Sequence, residues 1–220
     1  MIRKIVFIVI AIIIGFHYLY SQNINKKEIL IGFDLVGPAS KIWEKEKNAF
    51  EMSLKMALIK NFNFSIEGGL LSFNKNYSDS LKSYDYNENG SFFRTGFDYK
   101  FFQNQIENKI NYIYVGARYS QSQLKHSGSN IKIADNTWGE RITEFPETIY
   151  HLRWLELIGG IRVSLTKYIA LGWTLRLKFA IQKDKENKTV PYYIPGYGKG
   201  GNSKVIDFSY TLYFTIPINR

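Results

Sequence analysis

No cysteine occurs among the 220 residues. That excludes disulfides, thiol catalysis, thiolate zinc sites and acylation of an N-terminal cysteine. Histidine is scarce: there are three, and His17 lies close to the N-terminus. Beyond that N-terminal segment no run approaches the roughly 18 consecutive apolar residues of a membrane-spanning helix. No stretch carries a convincing amphipathic helical period either. What is abundant is aromatic side chains, 16 Tyr and 16 Phe, and positive charge, formally +10. Tyr and Phe favour strands and membrane interfaces. The length suits one domain with a real core.

The N-terminus reads as an export signal. Arg3 and Lys4 precede an apolar run, Ile5 to Gly15, and a polar "YSQN" follows. The run is short for a spanning helix, which favours a cleaved signal over an anchor. Cleavage is expected near Ser21 or Gln22, giving a signal peptide at 1–22 and one domain at 23–220. An exported chain is periplasmic, secreted, or a β-barrel of the outer membrane.

Period-two alternation recurs along the mature chain. It runs from Ile29, Phe50, Phe62, Phe93, Ile113, Leu155, Ile169 and Ile206, which predicts eight strands. Connections after the second, fourth and sixth strands are short: "KN", "FQNQIENK" and "TK". The other connections are long, including "NKNYSDSLKSYDYNENG", "QSQLKHSGSNIKIADNTWGERITEFPET" and the segment that contains "GYGKGG". An even strand count with short turns at one end and long loops at the other is the layout of an antiparallel up-and-down transmembrane barrel.

The two faces decide between a soluble and a membrane barrel. One series is bulky: Leu155, Leu157, Ile161, Val163, Leu171, Trp173, Leu175, Phe208, Leu212 and Phe214. The other mixes small residues with charges: Glu51, Lys55, Glu67, Arg94, Asp98, Lys100, Arg118, Glu156, Arg162, Arg176, Lys178 and Asp207. Eight strands enclose only enough room for side chains. The bulky series does not fit there and is expected to face lipid. The charged series is expected to plug the lumen as a salt-bridge network, since Arg or Lys facing lipid at mid-depth costs about 2–4 kcal/mol. Tyr99, Phe101, Tyr119, Tyr150, Tyr168 and Tyr210 are expected at the two interfaces.

Other constellations point less sharply to chemistry. "GYGKGG" (196–201) resembles a phosphate loop but precedes a strand rather than a helix and lacks the Lys-Ser/Thr pair, so a flexible surface loop is expected. Its basic neighbours, Lys183, Lys185, Lys188, Lys199 and Lys204, suit lipopolysaccharide phosphates. His126 and His151, with Ser127, Ser129, Asp135, Glu140, Glu144 and Glu147, offer hydrolase groups without a specifying spacing. Asp79, Asp85 and Glu88 lack the glycine-punctuated spacing of a calcium loop. No cofactor is expected, and the scattered basic residues do not suit nucleic acid.

The stretches "GFDYK" (96–100), "IYVGARYS" (113–120), "WLELIGGIRV" (154–163), "LGWTLRLKF" (171–179), "YYIPGYGK" (192–199) and "FSYTLYFTIPI" (208–218) carry a resemblance. The chain resembles a Bacteroidota family of small exported outer-membrane barrels of unknown function, from about Glu28 to the C-terminus. That resemblance implies the outer membrane of a Gram-negative bacterium and a barrel fold, and it implies no catalytic residues. The C-terminus departs from the barrel habit of ending in an aromatic residue, since Phe214 is internal and Arg220 is last.

The expected function is non-enzymatic: binding or scaffolding in the cell envelope. The expected partners are outer-membrane lipid and lipopolysaccharide, the barrel-insertion machinery and another envelope protein or lipoprotein. A narrow channel and a lipid or peptide hydrolase using the third long loop are the alternatives.

Overall fold

The strands are rich in β-branched and aromatic residues and each presents two unlike faces, so none is stable without neighbours on both edges. Closing the sheet on itself supplies those neighbours and removes the edges. The computed structural model describes residues 27–59, 61–79, 82–106, 109–135, 139–183 and 189–218. The expected signal peptide lies outside them, as do Lys185 and Lys188.

The elements are β1 (Lys27–Asp34), α1 (Val36–Ser40), β2 (Lys47–Ile59), β3 (Phe62–Ser78), β4 (Lys82–Ile106), β5 (Lys109–Asp135), β6 (Gly139–Ser164), β7 (Ile169–Lys183), β8 (Tyr193–Ile194), β9 (Gly198–Lys199) and β10 (Lys204–Ile218). Eight of them form a closed antiparallel barrel in the order β1-β10-β7-β6-β5-β4-β3-β2, and β8 and β9 make a separate hairpin. Cross-strand partners lead from Gly32 through Ser53, Glu67, Arg94, Ser120 and Trp154 to Ala180. Following them round displaces the register by about ten residues, which tilts the strands by roughly 40° and leaves a lumen that side chains can fill.

Three strands run far past the length a bilayer needs. β4, β5 and β6 have 25, 27 and 26 residues, whereas about 9–11 tilted residues cross a membrane. This corrects the expected loops. The stretch from Gln121 to Thr148 is mostly hairpin, with Asp135 paired to Gly139. In the stretch from Asn74 to Gly90, residues 74–78 belong to β3 and 82–90 to β4, with Ser78 paired to Ser83. Even "FQNQIENK" is largely strand, since Asn104 pairs with Asn111 and Ile106 with Lys109. The long strands form a blade rising from one end of the barrel.

β1 is the opposite case. It stops at Asp34, while β10 and β2 continue beyond it. The loop bearing α1 fills the wedge between them, an element the sequence did not announce. Leu35 N–H donates to Tyr210 O at 2.8 Å. Two carboxylates cap the otherwise open edge of β10: Tyr210 N–H donates to Asp34 and Phe208 N–H to Asp207. α1 sits so close to β2 that a Cβ at Gly37 would lie 2.9 Å from Ala49 O. Only glycine permits that approach.

Candidate functional site

The alternation that builds the strands also sorts their side chains. At β6, Trp154, Glu156, Ile158 and Arg162 are buried within the barrel, while Leu155, Leu157, Ile161 and Val163 stand exposed outside. On β7 and β10 Trp173, Leu175, Phe208 and Phe214 are also exposed outside, and Leu171 and Leu212 share that face as cross-strand partners. Trp173 packs on Phe208 and Tyr210. Among the expected interface aromatics, Tyr119 and Tyr168 are exposed. Tyr150 is not: it lies inside the barrel in a cluster with Leu124, Leu152 and Trp154. Its parity with Trp154 on β6 puts it there.

The barrel centre is an ionic lattice. Glu67 accepts from Arg94 Nη1 at 3.0 Å and from Arg118 Nε at 3.0 Å. Arg176 Nη2 lies 2.8 Å from the same carboxylate. Arg94 Nη1 also donates to Glu51 at 2.6 Å. Its Nε is 3.0 Å from Glu156 but not aligned for a hydrogen bond. Arg176 Nη1 and Trp154 Nε1 donate to the two oxygens of Glu156, at 3.0 and 2.7 Å. Asp98 joins Arg118 Nη2 at 2.6 Å to Lys55 at 2.9 Å. Lys178 pairs with Asp207. Nearer the short-turn end, Arg162 Nη1 donates to Glu28 and Nη2 to Thr215. Lys100 is buried above the Tyr112 ring, 5.5 Å from its centroid.

These charges come from all eight barrel strands. Most are desolvated, so each buried charge needs a partner of opposite sign and hydrogen bonds for its remaining donors. The lattice supplies most of these in a nearly neutral set, with Asp207 partly exposed and the Nε atoms of Arg94 and Arg162 outside the hydrogen bonding. Below it, Tyr112, Tyr114, Ile110 and Ile158 form one apolar cluster and Leu30, Ala170 and Tyr213 another. The lumen is therefore filled by side chains.

A second closure lies at the blade end. The hairpin of β8 and β9 turns inward, and Tyr197 is fully buried against Trp154. Arg94 Nη2 donates to Gly196 O at 2.9 Å, and Lys178 Nζ to Gly196 O and Tyr197 O at 2.8 and 3.2 Å. The first part of "GYGKGG", Gly196 and Tyr197, is thus part of a packed plug, which corrects the surface-loop expectation there, while Lys199 and Gly201 remain exposed. Its glycines serve conformation: Gly196 has φ 71°, and a Cβ there would lie 2.5 Å from the Phe92 ring. The signal available in sequence was the apolar content of "YYIPGY", unusual for a solvated loop.

Glu88 holds the plug's entrance. Its Oε2 accepts from Tyr86 Oη at 2.8 Å and from Tyr193 N–H at 3.2 Å, and Tyr86 Oη accepts from Tyr192 N–H at 3.1 Å. Phe73 stacks on Tyr192, 5.2 Å between centroids. Burial pushes the Glu88 carboxyl up to about 7 and outweighs the hydrogen bonds that favour its charged form. His126 is the direct cross-strand partner of Glu88. Burial depresses its imidazole below the usual histidine range.

The expected hydrolase groups do not converge. His126 is buried on the inner face and His151 is exposed on the outer. Glu140 and Glu147 are engaged by Lys132 and Lys125, and the Asp135 side chain lies outside the described residues. Asp85 bonds to Asn130 at the blade, three residues from inward-facing Glu88. Among the described residues no three His, Cys, Asp or Glu side chains group as metal ligands.

A family model described as a domain of unknown function (DUF6048) matches residues 12–220. No curated protein matches. Among solved structures, the chain is similar to the N-terminal β-barrel domain of Pseudomonas aeruginosa OprF, at 12% identity and TM-score 0.46. It is also similar to Ail, the attachment invasion locus protein of Yersinia pestis, at 8% identity and TM-score 0.41. A major outer membrane protein from Thermus thermophilus matches at 12% identity and TM-score 0.43. Each alignment covers 87% of this chain and 98% of the other.

Proposed function

The chain belongs to the DUF6048 family, and from that premise we propose that it is a non-enzymatic outer-membrane barrel that acts through its outer surface as a binding or scaffold component of the cell envelope. The observation that carries this reading is the inversion of the barrel. Arg94, Arg118 and Glu67 are buried in the lumen, while Trp173, Leu157 and Leu175 are more or less half exposed outside. Water would penalise that arrangement and hydrocarbon favours it. The closed backbone suits a bilayer because every strand edge in the membrane needs a hydrogen-bonding partner.

The filled lumen supports surface action over conduction, and the scattered loop-three residues support binding over hydrolysis. Lipid and lipopolysaccharide then surround the wall, the barrel-insertion machinery handles assembly, and the blade is placed to meet another envelope protein or lipoprotein. The test is fractionation followed by reconstitution. The protein should sediment with outer membranes, run faster on gels before boiling than after, and give no conductance steps in planar bilayers. Recovery as a soluble periplasmic protein would overturn the membrane reading, and steady unitary currents would overturn the plugged-lumen reading.

A further inference from the structure

The outer wall of β4 to β7 changes character in one step. Thr95, Tyr119, Leu155 and Phe179 are successive cross-strand partners and form the last largely apolar row. The next row, one alternation toward the blade, runs Phe93, Gln121, Arg153 and Gln182, again as successive partners. The row above joins Ser91 to Gln123 and Gln123 to His151. All of these polar side chains point outward and are exposed. They line a groove of about 1190 Å³ on this wall.

Two features set this patch apart from an ordinary solvated face. Among the described residues it contains amides, a hydroxyl, a guanidinium and an imidazole but no carboxylate, and Glu147 on β6 is paired with Lys125 at 2.7 Å. A register shift between Arg153 and Trp154 marks a bulge at the step itself. Bulges re-aim a side chain at such positions, and here Arg153 Nη1 lies along the wall, 3.3 Å from Gln182 Oε1.

We propose that this groove binds the headgroup of a phosphorylated glycolipid of the outer leaflet, with Arg153 and His151 on a phosphate and Gln121, Gln123 and Gln182 on sugar hydroxyls or acyl-amide groups. The inference rests on the membrane reading above, because only an embedded barrel puts this row at headgroup depth. Guanidinium forks match phosphate oxygens in pairs. Amide side chains both donate and accept, as a sugar requires. The acyl chains then run down the wall over Tyr119 and Leu155, so apolar burial and headgroup recognition act on one molecule.

The test uses the full chain in phosphatidylcholine nanodiscs, with rough lipopolysaccharide bearing its phosphates as the probe and native mass spectrometry as the readout. The same lipid after phosphatase treatment is the second arm. Wild type should retain the phosphorylated form, and the double variant Arg153→Gln with His151→Gln should weaken retention by about tenfold, the loss of one or two charge-assisted bonds. Lys45→Gln, an exposed cation on the α1 turn, should retain wild-type binding. Equal retention of both lipid forms, or of one form by wild type and the double variant, would overturn the site. No retention by a protein that is inserted and heat-modifiable would overturn the site and leave the membrane reading standing. A chain that does not insert removes both.

Discussion

Replacing Glu67 by Gln tests whether the ionic lattice holds the barrel's interior. The carboxylate receives Arg94, Arg118 and Arg176 at 3.0, 3.0 and 2.8 Å, and also Ser65 Oγ at 3.2 Å. Glutamine keeps the shape and one acceptor oxygen but removes the charge and turns an NH₂ toward the guanidinium groups. Three buried cations then share Glu51, Glu156 and Asp98. Breaking a buried pair by neutralising one partner costs roughly 3–5 kcal/mol, because the other charge stays buried. Glu67→Gln should lose about that much stability in urea unfolding from lipid vesicles, followed by loss of the fast-migrating unboiled form. The double variant Glu67→Gln with Arg118→Met should recover part of the loss, since it removes one stranded cation. A Glu67→Gln barrel within about 0.5 kcal/mol of wild type, the range of ordinary surface substitutions, would refute the claim that this network organises the lumen.

Two further outcomes follow from the same geometry. Ile161→Arg places a cation on the outer wall and should cost about 2–4 kcal/mol or block insertion; Arg162→Leu, one residue on, should instead strand Glu28 inside a barrel that still inserts, and equal effects on folding yield would show the faces misassigned. For Glu88, a carboxyl raised to about 7 in the closed plug binds its proton more tightly than in an opened one, where it titrates at about 4.5. The plug is therefore tightest, as far as Glu88 is concerned, below pH 4.5, and it loosens as pH rises from there to 7, by about 3 kcal/mol in full. His126 acts in the other sense, since its depressed imidazole weakens the closed form as pH falls below the usual histidine range. Glu88→Gln should abolish this loosening, read as hydrogen exchange of the Tyr192 and Tyr193 amides between pH 5 and 7; unchanged exchange slopes would contradict the assignment.

Alternation within the bilayer-length part of each strand was legible because the two faces differ in kind, as with Leu157 against Glu156. Above that band the contrast fades. Along 121–128, Ser122, Leu124 and His126 face inward and Gln121, Gln123 and Lys125 outward. The period of two is still there, but both series are mainly polar or mixed, so it reads as loop. The plug was hidden for a different reason. Its docking depends on the carbonyl oxygens of Gly196 and Tyr197, and backbone acceptors leave no trace in composition. α1 escaped because five residues are too few for a helical period, and its place is set by the early end of β1 and by Gly37.

The charged interior also has a consequence for how such a chain reaches its membrane. If lumen positions were apolar like the outer ones, each crossing strand would be a continuous apolar run, and segments such as 154–164 joined to 169–181 would approach the hydrophobicity of a spanning helix. A secreted chain of that kind risks arrest in the first membrane it crosses. Interleaving Glu156, Arg162, Arg176 and Lys178 with Leu155, Ile161, Leu175 and Leu177 keeps every local window too polar for helical insertion, while the apolar face appears only once β-pairing separates the two series. The large desolvation cost of the lattice is then offset in the folded barrel by its own pairings and by the burial of the outer face in lipid. On this argument the ionic core serves export as well as stability. Apolar residues at these inner positions should therefore impair export before they impair the folded barrel.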